Sequence, residues 1–118
     1  MRPFILTRSY FFGSQKYAAV WSGDCNSDWK HFNLGIPILL QSSIAGISFI
    51  GSDVPGFFKD PEDEELVVRW YQLGALMPFF RAHANENTKR REPWTFPEKI
   101  FEAIKEAINL RYLILPYM

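Results

Sequence analysis

AAVWSGDCNSDW, residues 18–29, reads as a buried strand that stops abruptly on a carboxylate. Ala18, Ala19, Val20 and Trp21 form a short apolar run, Ser22 and Gly23 break it, and Asp24 stands at its exit. Two further runs end the same way: GISFIGSD (residues 46–53) delivers Asp53, and PFFRAHA (residues 78–84) delivers Arg81 and His83. Polar side chains placed repeatedly where buried strands stop are how a parallel α/β sheet assembles an active site, at the carboxyl ends of its strands. The pattern points to an enzyme.

Working outward, strands alternate with helices. Residues 4–7 make a first apolar run, closed by Arg8 and Ser9, and residues 17–21 the second strand. Ser27 is placed to cap a helix in which Trp29, Phe32, Ile36 and Leu39/Leu40 recur at three- and four-residue spacing. Pro37 is expected to kink or restart that helix and Gly46 to close it. Residues 47–50 follow as the third strand. Asp60 as N-cap with Pro61 at the first helical position would start the next helix, with Glu62, Asp63 and Glu64 in its positive first turn. Leu66, Trp70 and Leu73, flanked by Val67 and Tyr71, give it an apolar stripe. Residues 78–81 form the fourth strand. Thr95-x-x-Glu98 has the spacing of a capping box for a last helix running on Ile100, Ile104, Ala107 and Ile108. Strands separated by helices, with no hairpin signals, mean a parallel sheet with right-handed crossovers. Four such strands are half of an eight-stranded (β/α)8 barrel, for which about 250 residues are typical. The expectation is therefore an α/β chain that is part of a larger catalytic domain.

Composition narrows the function. Lysine plus arginine equals aspartate plus glutamate, 13 against 13, so no net field attracts nucleic acid or an anionic membrane. Lys89-Arg90-Arg91, followed at once by Glu92, reads as a solvated loop. The single cysteine, Cys25, excludes an internal disulfide. No secretory leader is expected at Met1-Arg2-Pro3, because the apolar run behind it is short and lacks a cleavage site. The apolar stretch over residues 34–50 is interrupted by Pro37, Gln41, Ser42, Ser43 and Gly46. A membrane span needs about 20 mostly apolar residues, so none is expected.

RPFILTRS, FFGSQKYAAVWSGD, GISFIGSDVPGFF, EELVVRWYQLGALMPFFRAHA and RREPW follow one another in the order found in glycoside hydrolase family thirty-one. The chain resembles that family's α-glucosidases over its whole length, in particular the branch of glucosidase II and the neutral α-glucosidases. The resemblance implies strands five to eight of a (β/α)8 barrel and hydrolysis of α-glucosidic bonds. It also implies no cofactor and an α-glucoside or a glucosylated N-glycan as substrate. The endoplasmic-reticulum lumen as location and an accessory subunit as partner follow if the likeness extends to glucosidase II.

The resemblance makes Asp24, the aspartate of W-[ST]-G-D, the general acid/base of a retaining glycosidase. Such cleavage needs a carboxylic acid for the leaving oxygen and a second carboxylate, about 5–5.5 Å away, to attack the anomeric carbon. An acid that stays protonated needs a partly apolar wall or a nearby like charge, and Trp21 could supply the wall. The family's nucleophile sits in a W-x-D-x-N-E type motif that this chain lacks, so Asp53, Asp28 and Asp60 are not assigned that role. The competing reading of Asp24 is a turn or helix-cap residue. Arg8, in the R-P-F-x-L-x-R pattern, is implied to bind sugar hydroxyls and the nucleophile, against a solvated strand-end arginine. His83, in F-F-R-A-H, matches a glucose-binding histidine, against a satisfied core one. Asp53 and Arg81 are expected to pair, either touching sugar or supporting residues that do. Pro55 stands where the family often has glycine, which removes a backbone donor there. Cys25 reads as a small buried side chain and His31 as surface or packing. Trp29, Trp70 and Trp94 read as helix or loop packing.

Two other classes compete. A metal-dependent hydrolase would use Asp24, Asp53 and His83, yet two histidines without H-x-H or H-E-x-x-H spacing argue against a metal site. A sugar-binding or scaffold module would keep the pocket wall without turnover.

Overall fold

The computed structural model describes residues 3–118; Arg2 of the quoted RPFILTRS stretch lies outside the described residues. Strands β1 (Leu6–Thr7), β2 (Ala19–Trp21) and β3 (Ile50–Gly51) pair in parallel and in chain order, Leu6 with Ala19 and Val20 with Ile50. One residue beyond β3, strand β4 (Asp53–Val54) pairs in parallel with β5 (Arg81–Ala82), Asp53 opposite Arg81. The expected third strand is thus displaced towards the carboxyl side. Residues 50–54 form one segment that turns its first half to β2 and its second half to β5. Gly51 permits the approach: a Cβ there would lie 1.9 Å from the Phe79 carbonyl oxygen.

Helix α1 (Trp29–Ile44) joins β2 to β3, α2 (Glu64–Leu76) joins β4 to β5, and α3 (Glu98–Ile114) follows β5, while only a 3-10 turn (Ser14–Lys16) lies between β1 and β2. The helix interiors follow the expected periodicity, but the helix starts do not. Asp28, not Ser27, caps α1, accepting the His31 N–H at 2.7 Å. The Ser27 hydroxyl is buried and turned to a side chain from a distant loop. Asp63, not Asp60, caps α2, accepting the Leu66 N–H at 2.7 Å and the Trp29 indole N–H at 2.9 Å. Asp60 instead accepts the Lys89 backbone N–H at 2.8 Å, and Pro61 precedes the helix. The Thr95 capping box does not form either. Thr95 ends a single 3-10 turn (Pro93–Thr95) and donates to the Glu92 carbonyl, while Pro97 precedes α3 without a side-chain bond. Pro37 lies inside α1 without ending it, and Gly46 closes that helix as expected, with its N–H on Ser43 and the Ile47 N–H on Ser42.

The core lies between the sheet and α2 and α3. Val54, Leu66, Val67, Trp70, Tyr71, Ala75, Met77, Ile104 and Ala107 are all buried in one cluster. α1 joins through Phe32, whose ring meets Trp70 edge-on at 5.2 Å. A smaller cluster of Val20, Ile47 and Ile50 lies under Leu39. The carboxyl end of α2 has no glycine cap. The Arg111 guanidinium of α3 donates to the carbonyls of Ala75, Met77 and Pro78 instead, tying the two helices together. On the amino side of the strands, Phe4, Phe49 and Phe79 gather with ring centroids 6.0–6.3 Å apart. Phe79 is covered, but Phe4 is 64% and Phe49 45% exposed.

Two outcomes follow. The 118-residue chain alone exposes that aromatic face and both sheet edges, at β1 and β5. Several hundred Å2 of wet apolar surface forfeits on the order of 10 kcal/mol, comparable with a whole domain's stability. Sedimentation is expected to show association; a monodisperse 13.8 kDa species with a cooperative melt contradicts it. Second, the Leu66 N–H and the Trp29 indole hold the Asp63 carboxyl below the usual carboxylate range. A depressed folded-state pKa contributes stability above the unfolded value, near 4, and loses it as pH falls through the folded one. Asp63→Ala should weaken the first turn of α2 by about 1 kcal/mol at neutral pH. Faster Leu66 amide exchange checks this, with the difference shrinking in acid.

Candidate active site

Arg8, Asp24 and His83 lie just past the carboxyl ends of β1, β2 and β5, as expected, whereas Asp53 and Arg81 are the first residues of β4 and β5. Asp24, three residues past β2, meets Arg8, just past β1: Arg8 Nη1 lies 3.3 Å from Asp24 Oδ2. Arg8 is largely exposed, at 61% of its side chain, and Asp24 is about a quarter exposed, at 26%. The pair is therefore a solvent-facing one that a ligand can reach. Arg8 was expected to contact a nucleophile; in the described residues its carboxylate partner is Asp24.

Asp53 and Arg81 pair as expected, and their environment is unlike that of the first pair. Asp53 is fully buried, and its Oδ1 accepts from Arg81 Nε at 3.2 Å and Nη2 at 3.0 Å. Oδ2 has no hydrogen-bond partner among the described residues. Burial pushes the Asp53 carboxyl up, Arg81 pulls it back, and the Asp24 charge adds a smaller upward push. The Arg81 guanidinium lies over two aromatic rings, 5.3 Å from the Trp21 ring centroid and 5.4 Å from that of Phe79. Trp21 thus belongs to the site through its contact with Arg81; its indole N–H is buried without a partner among the described residues.

The loop that presents Asp24 is stitched down on both sides. Ser22 donates to the Ser52 hydroxyl at 2.9 Å, and Cys25 Sγ lies 3.7 Å from the same oxygen. Ser52 is buried and immediately precedes Asp53. Neither serine stood out in the sequence, where a serine after a strand signals only a turn. Cys25 is half-buried against the core cluster, not fully buried as expected, and burial pushes its thiol up. His83 is exposed; its backbone N–H donates to Val54 at 3.2 Å, and its ring lies 5.3 Å from that of Phe57. It is not a core histidine. His31 bonds its own cap residue, Nδ1 to Asp28 Oδ1 at 2.7 Å.

The basic run departs from its expectation. Lys89 pairs with Asp60 and Arg90 with Glu92 at the surface, but Arg91 is only 5% exposed. Trp94, expected to pack, is largely exposed beside Pro93, Tyr71 and Tyr112, around a cleft of about 450 Å3. Among the described residues no three His, Cys, Asp or Glu side chains converge as metal ligands, and no helix is long and apolar enough to cross a membrane.

Comparison with known proteins adds a second line. The profile of the glycosyl hydrolases family 31 TIM-barrel domain matches residues 1–118. Human neutral alpha-glucosidase C is 60% identical over 116 residues, 98% of this chain and 13% of that protein. A chain in a crystal structure of the ER glucosidase II heterodimeric complex superposes with a TM-score of 0.93 at 48% identity. The match covers 97% of this chain and 12% of that one. A family 31 alpha-glucosidase from Bacteroides thetaiotaomicron does so with a TM-score of 0.89 at 44% identity, over 98% and 20%. The chain therefore spans only a small part of the length of the proteins it matches.

The two ion pairs should differ sharply in the cost of truncation. Arg81→Ala leaves the buried Asp53 charge without its partner, a change that costs about 3–5 kcal/mol. Arg8→Ala removes an exposed guanidinium from a screened pair and should change stability by about 0.5 kcal/mol or less. Denaturant midpoints of the two variants in the full-length protein check the contrast.

Proposed function

The chain belongs to glycosyl hydrolases family 31, and on that premise we propose that its protein hydrolyses α-glucosidic bonds by a retaining mechanism with two carboxylates. The residues form one partial catalytic barrel domain, contributing strands five to eight. The observation that carries the reading is Asp24 at the exit of β2, held 3.3 Å from Arg8 on a solvent-facing rim. That rim also bears the exposed His83, and the buried Asp53 with its partner Arg81 lies beneath it.

In this reading Asp24 protonates the leaving glycosidic oxygen and afterwards deprotonates the attacking water. The nucleophilic carboxylate comes from the part of the domain outside these residues. Arg8 orients Asp24 and sugar hydroxyls with a fork of fixed donors. His83, held against Phe57, offers one ring nitrogen to a hydroxyl as donor and the other as acceptor. Asp53 and Arg81 hold the floor of the pocket and Trp21 walls it. No cofactor takes part. An α-glucoside or a glucosylated N-glycan is the substrate, the endoplasmic-reticulum lumen the location, and a regulatory subunit the partner. The likeness to the ER glucosidase II complex, in which a catalytic subunit is joined by the binding domain of a regulatory subunit, supports the last two assignments.

The test is Asp24→Asn in the full-length protein. Loss of a general acid typically costs 10²–10⁴-fold. The fall in kcat/KM should be of that order for sugar leaving groups and much smaller for an activated aryl α-glucoside, whose departure needs little protonation. Equal losses on both substrates would remove Asp24 from the acid role. Sugar binding without turnover by the unsubstituted protein would favour the scaffold reading.

A further inference from the structure

Arg91 is a buried cation with no carboxylate within 4 Å among the described residues. Its guanidinium faces oxygens of two other loops. Nη1 donates to the Ser27 hydroxyl at 3.0 Å and to the Gly56 carbonyl at 2.7 Å, and Nη2 donates to the Lys59 carbonyl at 2.7 Å. Its own carbonyl accepts from the buried Tyr71 hydroxyl at 3.2 Å, which anchors it to α2. Burial pushes the guanidinium pKa down, with Asp60 and Tyr71 opposing. A desolvated charge costs several kcal/mol, so this arrangement persists only because the loop oxygens compensate it.

The three loops that meet at Arg91 carry or follow Asp24, Asp53 and His83; only Arg8, after β1, stands on another. Ser27 lies three residues past Asp24, Gly56 three past Asp53, and Arg91 itself closes the loop that begins at His83. Backbone bonds complete the weave. Phe57 and Phe58 N–H groups donate to the Cys25 carbonyl at 2.7 and 2.9 Å, Ser27 N–H to Phe58 at 2.9 Å, and Asn85 N–H to Phe57 at 2.9 Å. Gly56 shows how tight the junction is: its φ is +95°, and a Cβ would lie 2.6 Å from Ser27. A lysine in place of Arg91 would bring a single ammonium to a set of oxygens that a planar fork reaches simultaneously.

We propose that Arg91 is a positioning residue, a guanidinium clamp that sets Asp24 and His83 relative to one another through Ser27, Gly56 and Lys59. The inference rests on the reading of Asp24 as acid/base and adds to it a residue that touches no substrate. A misplacement of about 1 Å costs on the order of 10²-fold in rate, so the clamp acts on turnover more than on binding.

The experiment uses the full-length protein with Arg91→Lys, Arg91→Met and Ser27→Ala. Well below the melting temperature, kcat for a glucosyl disaccharide should fall about 10- to 100-fold in the Arg91 variants, with KM within about threefold. An activated aryl α-glucoside should lose less. Independently of activity, Cys25 reports the loop: its alkylation, followed by peptide mass spectrometry, should speed up severalfold once the clamp opens. A folded Arg91→Lys protein with kcat, KM and Cys25 alkylation all within twofold of the unsubstituted protein overturns the proposal. If neither Arg91 variant folds, Ser27→Ala decides, since it removes one acceptor and keeps the charge compensated. Slower turnover with faster alkylation supports the clamp, and no change in either overturns it. If the unsubstituted protein cleaves no α-glucoside, the catalytic reading fails by itself, and Cys25 alkylation still decides the clamp.

Discussion

Residues 50–54 have to be buried on both sides at once, and the rest of the fold is arranged around that demand. Ile50 and Gly51 face β2, Asp53 and Val54 face β5, and every residue from Ile50 to Gly56 is buried. A two-sided strand reads as continuous apolar sequence, yet this one carries a buried carboxylate, Asp53, in its second half. Asp53 is tolerated because its opposite number across the ladder is Arg81, whose guanidinium also lies over the Trp21 and Phe79 rings. Charge, register and aromatic packing are therefore one constraint. A slip of one residue would turn Asp53 to the other face and leave it unpaired.

The two ends of the sheet divide labour. On the amino side, Phe4, Phe49 and Phe79 make an apolar cluster whose value is packing. On the carboxyl side, each strand gives way to a loop with a polar side chain at its root. Electrostatics there are graded by depth: Arg8–Asp24 is open to water, Asp53–Arg81 is closed, and Arg91 lies beneath neighbouring loops with only neutral acceptors. An exposed pair contributes little to stability and is free to exchange partners with a substrate. A buried one is costly to disturb, which suits a residue that must hold still.

The helices show how capping is settled by competition. Asp60, Asp63 and Asp28 are chemically equivalent candidates, and Ser27 is one as well. Asp63 wins at α2 because the Trp29 indole reaches it from α1, while Asp60 is drawn off by the Lys89 backbone. Ser27 is lost to capping because Arg91 claims its hydroxyl, and Asp28 takes over one residue later. Each outcome depends on a partner about 30 or more residues away in the chain, as Arg111 is from the end of α2 that it seals.

Local chemistry alone was enough to show an α/β chain with parallel strands, three helices at the right periodicity, and polar residues at strand exits. Hydrophobic period and the abrupt stops after Trp21 and before Asp53 are short-range signals, and short-range signals survive in sequence. The partnership of Asp53 with Arg81 was legible too, because each follows an apolar run at a corresponding place, although the structure puts both inside the ladder and not at strand ends. Tertiary structure alone decided which cap residues are used, where the third strand divides between its neighbours, and which of Lys89, Arg90 and Arg91 is buried. Those three cations are equivalent in a sequence. They differ only in what surrounds them, and burial of a charge is a property of folded neighbours: the oxygens of Ser27, Gly56 and Lys59 come together only once the chain has closed around them.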